Sequence, residues 1–183
     1  MAVQQKVTAQ EFEAFITRPE NSDRLFELND GEIVEKMPTE EHGYLAANFI
    51  LEIGIYLKTN PIGRVVVEAR HRMPEDEHHS YLPDVAFTHH ERTGPLVTEG
   101  AVPRMPDLAI EIKSPNDVEL KMRKKALYYL ENGAQVVWLV FPRKQEIEVH
   151  EAEGIRTLGI DDTLDGGTVL PGFTLPLKSI FAG

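Results

Sequence analysis

The sequence predicts a single α/β domain spanning residues 1–183, and three patterns carry that prediction. Leu108–Lys113 and Val136–Phe141 are apolar, strand-like runs separated by a helical stretch over Asp117–Glu131. That is the order of a βαβ unit, whose two strands pair in parallel. Arg24–Leu28 and Glu32–Met37 flank Asn29-Asp30-Gly31, residues that tolerate positive φ and so turn a tight β-hairpin. Leu45, Phe49, Ile53 and Tyr56 keep helical spacing across Glu40–Lys58. With 183 residues, 42% of them hydrophobic and 27% charged, the chain has both the length and the composition to bury one globular core.

The remaining elements follow in order. Thr8 with Glu11 is a capping-box pattern opening a short helix over Glu11–Ile16, which Pro19 stops. Asn60-Pro61-Ile62-Gly63 ends the long helix. Strands are expected over Arg64–Arg70 and Leu82–Thr88, and His89–Pro106 reads as a long loop of the kind that carries function. Asp117 is placed to cap the next helix, Met122, Ala126, Tyr129 and Leu130 form its apolar stripe, and Asn132-Gly133 ends it. Val136–Phe141 is apolar throughout, as in a strand buried on both faces, with Trp138 in its core and Tyr128 and Tyr129 packing beneath it. Glu146–His150 and Gly154–Leu158 read as further strands, and Leu175–Phe181 as a closing segment.

The formal net charge of −11 argues against a broad basic surface for nucleic acid, but a locally basic helix and a bound metal ion can still frame a phosphate. The absence of cysteine removes disulfides and thiolate metal sites and fits a reducing cytoplasm. No run of 18 apolar residues indicates a membrane span, and Met1–Gln10 contains no signal-peptide core.

Charge in two apolar runs demands an account. Asp84 lies in Pro83-Asp84-Val85-Ala86-Phe87, and Glu111 and Lys113 lie in Asp107–Lys113. Side chains alternate along a strand, so Ala109, Glu111 and Lys113 share the face opposite Leu108, Ile110 and Ile112. If the strands are neighbours, Asp84 and Glu111 point the same way, and two close carboxylates either bind a proton or bind a cation. Hard oxygen ligands suit magnesium or manganese, which polarises a phosphodiester and acidifies water, with Lys113 to orient the water or stabilise the phosphate. A buried Glu–Lys ion pair held for stability alone is the competing reading, and its desolvation cost weighs against it.

Pro83-Asp84 followed by Glu111-Ile112-Lys113 resembles the PD-(D/E)XK nuclease pattern. The hairpin Leu25–Glu35, Pro38-Thr39 with His42, Asp107–Asn116, Lys125–Tyr129, Gly133, Val137–Val140 and Leu170–Phe173 together resemble the Uma-type, restriction-endonuclease-like family over nearly the whole chain. The resemblance implies a restriction-endonuclease-like core, a mixed central β-sheet flanked by helices with an N-terminal helix and hairpin. It also implies a Mg2+- or Mn2+-dependent endonuclease cutting DNA, with Asp84 and Glu111 as metal ligands and Lys113 as catalytic lysine, acting as a homodimer. The alternative is an inactive nuclease-fold protein that binds nucleic acid, regulates or self-associates.

Five further residues keep two readings each. Lys125 matches the family's helix lysine and contacts phosphate or the site carboxylates, or else belongs to a solvated face with Lys121 and Lys124. Glu68 is a third carboxylate, or an ion-pair partner of Arg70 or Arg72. Glu27 and Glu35 bracket the hairpin, and either supplies an extra acid or faces solvent. His42 is structural, or serves as proton shuttle or phosphate contact. His71, His78, His79, His89 and His90 fit no zinc spacing, and the adjacent pairs His78-His79 and His89-His90 are expected to be solvated.

Overall fold

A computed structural model describes residues 6–182. Helix α1 (Ala9–Ile16) is opened by the expected capping box: Glu11 N–H donates to Thr8 Oγ1 at 3.3 Å and Thr8 N–H donates to Glu11 Oε2 at 2.8 Å. It starts at Ala9 rather than Glu11, because Thr8 itself is the capping residue. Strands β1 (Leu25–Asn29) and β2 (Glu32–Lys36) form a separate antiparallel pair, turned by Asp30 and Gly31 at φ 51° and 77°. Positive φ at both central residues is what a two-residue hairpin of the primed type requires. Helix α2 (Glu40–Thr59) is capped by Thr39, whose side chain accepts from His42 N–H.

The main sheet has six strands, β3 (Gly63–Val67), β4 (Val85–His89), β5 (Leu108–Ile112), β6 (Val136–Phe141), β7 (Glu146–Glu151) and β8 (Gly154–Leu158), lying side by side in chain order. Only β5 and β6 run parallel, joined by helix α3 (Glu119–Glu131); every other pair is antiparallel. The α/β class and mixed sheet are as the sequence implies. Helix α3 begins two residues after Asp117, whose carboxylate instead accepts from Ser114 N–H at 2.7 Å and closes a turn ahead of the helix. Strand β4 begins at Val85, after Pro83, which has no N–H to give a ladder. Two three-residue strands, β9 (Thr163–Asp165) and β10 (Thr174–Pro176), form a third small sheet before helix α4 (Leu177–Phe181), splitting the expected closing segment in two.

Burial on both faces of the sheet explains the apolar runs. Leu108, Ile110, Ile112, Trp138 and Val140 meet Leu45, Phe49 and Ile53 of α2 on one face. On the other, Ala109, Val137 and Leu139 meet Met122, Ala126 and Tyr129 of α3. Alternation along β5 therefore sets Glu111 on the α3 face, inside the domain rather than in water. A third cluster, Phe12, Phe26 and Leu28, fixes the hairpin to α1. Among the described residues, no helix is long and apolar enough to cross a membrane.

Candidate active site

Asp84 stands where β4 meets β5. Its N–H donates to Ile110 O at 3.1 Å, and its Oδ2 accepts from Ile112 N–H at 2.6 Å, so the side chain completes the pairing that its position ahead of the strand leaves open. Helix α2 brings His42, with Nε2 3.0 Å from the same Oδ2. The last residue of β2 brings Lys36, whose ammonium lies 2.5 Å from Asp84 Oδ1, donates to Leu82 O at 2.8 Å, and stands 4.0 Å from Glu111 Oε2. Glu111 Oε1 accepts from Tyr129 O–H at 2.8 Å and from Lys125, also at 2.8 Å. Lys125 reaches Glu27 Oε1 at 2.7 Å, and the same oxygen accepts from Leu82 N–H at 2.6 Å. The Tyr81 ring lies 5.0 Å from the Lys125 ammonium, near enough for a cation–π contact.

The result is a buried network of three carboxylates and two ammonium groups. Burial raises the Asp84 carboxyl, but Lys36 and His42 outweigh it and hold the acid well below the usual aspartate range. Lys36 shows the opposite balance, burial lowering it while Asp84, Glu111 and Glu27 hold it above the ordinary lysine value. Lys125 is likewise raised, with Glu111 and Glu27 prevailing over burial. Burial dominates at Glu111, pushing it up to about 7 against the pull of Lys125 and Lys36.

The structure thus brings together Glu27, His42, Asp84, Glu111 and Lys125, and leaves three expected residues elsewhere. Lys113 follows the last residue of β5, and its ammonium reaches Ser114 O at 3.2 Å, lining an adjoining cleft with Arg143 and Lys144. Glu68 is exposed at φ 48°, a kink that ends β3 and breaks the face it was expected to share with Arg70. The Arg70 guanidinium instead donates to Phe26 O at 2.9 Å and covers the Phe12 ring. Glu35 pairs with Arg24 on the hairpin's other face: Phe26 sits opposite Glu35 and packs with Phe12, whereas Glu27 and Lys36 alternate inward. That alternation is the signal that identifies Lys36, which sequence reasoning missed along with the Tyr129 hydroxyl.

The histidines form no metal cluster among the described residues, and three are held by the fold, His78 with its Nδ1 3.1 Å from Val7 O. His71 is buried with Nδ1 2.8 Å from Arg104 O, and His79 stacks on Tyr128 at 4.5 Å. Asp107, within the second motif, is locked by Arg92, Gln135 and His89 N–H away from the cleft.

The network opens onto a cleft of about 210 Å³ whose walls include Glu27, Lys36, His42, Glu111, Lys121 and Lys125. Among the described residues no three acids or histidines form a ready metal cage. Two oxygens nevertheless suit a hard cation. Asp84 Oδ1 and Glu111 Oε2 take no backbone hydrogen bond, and both face Lys36. One or two carboxylates are what an ion like Mg2+, which keeps several of its waters, asks of a protein.

Known proteins resemble the chain in sequence and in fold. A family model described as "Uma2: Putative restriction endonuclease" matches residues 9–178. The fold is similar to a crystal structure titled a "putative nuclease belonging to DUF820" from Anabaena variabilis, with a TM-score of 0.80 and 24% identity, covering 96% of this chain and 98% of that one. No curated protein matches the chain.

Proposed function

We propose, from the premise that the chain belongs to the Uma2 family, that it is a nuclease hydrolysing phosphodiester bonds of DNA with Mg2+ or Mn2+ held by Asp84 and Glu111. The observation that carries this reading is the convergence of two buried carboxylates, each with one oxygen fixed by the fold and the other turned to a cation. A bound divalent ion supplies Lewis acidity to the phosphodiester and to the attacking water. The chain's own residues supply the rest. His42 and Ile112 N–H fix the Asp84 carboxylate from one side, and Tyr129 and Lys125 fix Glu111 from the other. Such outer partners orient ligands and tune their basicity. The cleft admits the scissile phosphate beside Lys36 and Lys121, while Lys113, Arg143 and Lys144 in the adjoining cleft of about 220 Å³ meet flanking phosphates.

Cytoplasmic location and homodimerisation belong to the same proposal. The first is supported by the absence of cysteine, the second by an outward apolar row on α2, Tyr44, Leu51 and Ile55, which a second copy can cover. One observation favours a second reading, a nuclease-fold protein that binds nucleic acid without cutting: a lysine ammonium already stands against Asp84.

Incubation of plasmid, linear duplex, single-stranded DNA and RNA with the protein in Mg2+ or Mn2+ separates the two. Cleavage of DNA is expected, with Asp84→Asn and Glu111→Gln each losing at least the ~100-fold that even outer partners of a metal are worth. Binding without cleavage in either metal supports the second reading, and cleavage equal in both variants removes the assigned ligands.

A further inference from the structure

We infer that Lys36 is the resident cation of this site, occupying the place a divalent ion takes, so that metal enters by exchange with a lysine carried on the hairpin. The inference rests on the reading of Asp84 and Glu111 as ligands. Three observations support it. First, the ammonium faces the two oxygens left for a cation, 2.5 Å from Asp84 Oδ1 and 4.0 Å from Glu111 Oε2. An ammonium and a divalent ion cannot share that space at bonding distance from the same oxygen, and their like charges repel.

Second, the site holds more acids than ammonium groups: Glu27, Asp84 and Glu111 surround Lys36 and Lys125. A divalent ion in the place of Lys36 brings one more positive charge to those acids than the lysine does.

Third, Lys36 has a way out. Lys125 is held from helix α3, packed on the face of the main sheet, between two carboxylates, but Lys36 is the terminal residue of a two-stranded hairpin separate from that sheet. Its side chain keeps 17% of its surface accessible and borders the cleft, beside the exposed Met37. A four-carbon stem lets the ammonium swing into the cleft while the strand stays paired with β1. Once there it lies where the phosphate is bound, which makes Lys36 a determinant of metal affinity and a cation within reach of the substrate.

Mn2+ binding by calorimetry on the full chain tests the exchange without any measurement of cleavage. Lys36→Met and Lys36→Gln remove the competing charge and are expected to bind Mn2+ at least ~10-fold tighter than wild type, from the loss of a full charge a few ångströms away. Lys36→Arg keeps the charge and is expected to bind no tighter than wild type. Equal or weaker binding by the neutral variants overturns the inference, as does absence of Mn2+ binding from every form. A measurement on the wild type removes dependence on any variant's folding. The 15N resonance of the Lys36 ammonium is expected to lose its Asp84-paired signature at saturating Mg2+, and a resonance unchanged by Mg2+ overturns the exchange. Tighter Mn2+ binding without DNA cleavage overturns the nuclease reading alone, and Asp84-dependent cleavage with an unmoved Lys36 resonance overturns the exchange alone.

Discussion

Replacing Lys125 by methionine removes the ammonium that Glu27 and Glu111 share. Methionine keeps most of the length of the side chain and loses the ammonium that lies over the Tyr81 and Tyr129 rings, so the perturbation is chiefly of charge. The lysine side chain is 11% exposed and its partners Glu27 and Glu111 are 9% and 8% exposed, so solvent screening offers little relief. Breaking a buried ion pair from one side costs about 3–5 kcal/mol, because the remaining charge is left without compensation. For a chain of this size each kcal/mol moves the melting temperature by about 2–4 °C, which places the expected fall at roughly 6–20 °C. The fall depends on pH with a definite sign. Glu111 is raised to about 7 in the folded protein from an ordinary 4.5. The folded state therefore holds more protons than the unfolded state between those values, and stability falls as pH rises through that window. Without Lys125 the carboxyl rises further, so Lys125→Met loses most at pH 8 and less at pH 5.5, where Glu111 is protonated. Thermal melts by circular dichroism at both pH values, with a cycle through Glu111→Gln, measure the coupling. A loss below about 1 kcal/mol, or one unaltered by Glu111→Gln, refutes the reasoning that Lys125 acts by neutralising these acids.

Two other predictions concern residues outside the network. His71, buried and lowered by that burial to about 4 from an ordinary 6.5, binds fewer protons folded than unfolded between those values, so stability rises with pH across that window by about 3 kcal/mol. Denaturant melts from pH 4 to 7 are expected to flatten in His71→Gln; a slope unchanged by the substitution assigns the effect elsewhere. Lys113→Ala is expected to stay within about 0.5 kcal/mol of wild type in stability and to leave Mn2+ affinity unchanged, since its ammonium touches only a backbone carbonyl. If it meets a flanking phosphate, its loss lowers the salt slope of DNA binding by about 0.9, read by fluorescence anisotropy across a salt series.

Much of the scaffold is legible from residue pattern alone, because its determinants are local. Val136–Phe141 has the bounds its apolar run gives, and Asn29-Asp30-Gly31 turns the hairpin through the positive φ its residues tolerate. Strands β9 and β10 are not legible, since three residues are too few to show alternation and Pro176 argues against a strand. In the site, Asp84 and Glu111 stand out because charge in an apolar run has few alternatives. Lys36 does not: a lysine ending a hairpin has a solvated reading, and the aspartate it meets is 48 residues away. Choosing Glu27 over Glu35 depends on Phe26 and Leu28 packing against Phe12, a contact with another element that fixes which hairpin face turns inward. Glu68 fails for a related reason, its kinked backbone ending the alternation on which its placement depended.

The register of that hairpin has a consequence beyond its own pairing. Slipping β2 by one residue against β1 would carry Lys36 to the outer face and Glu35 inward, exchanging a cation for an anion beside Asp84. The two-residue turn is therefore a ruler, setting the sign of the charge delivered to the cleft from its far end. Gly31, at φ 77° and with no space for a Cβ, which would meet the Lys6 side chain at 2.5 Å, is the graduation on that ruler. A lengthened turn alters the charge of the site while leaving every residue in it unchanged, so insertions between Asn29 and Glu32 belong among the lesions of this candidate site.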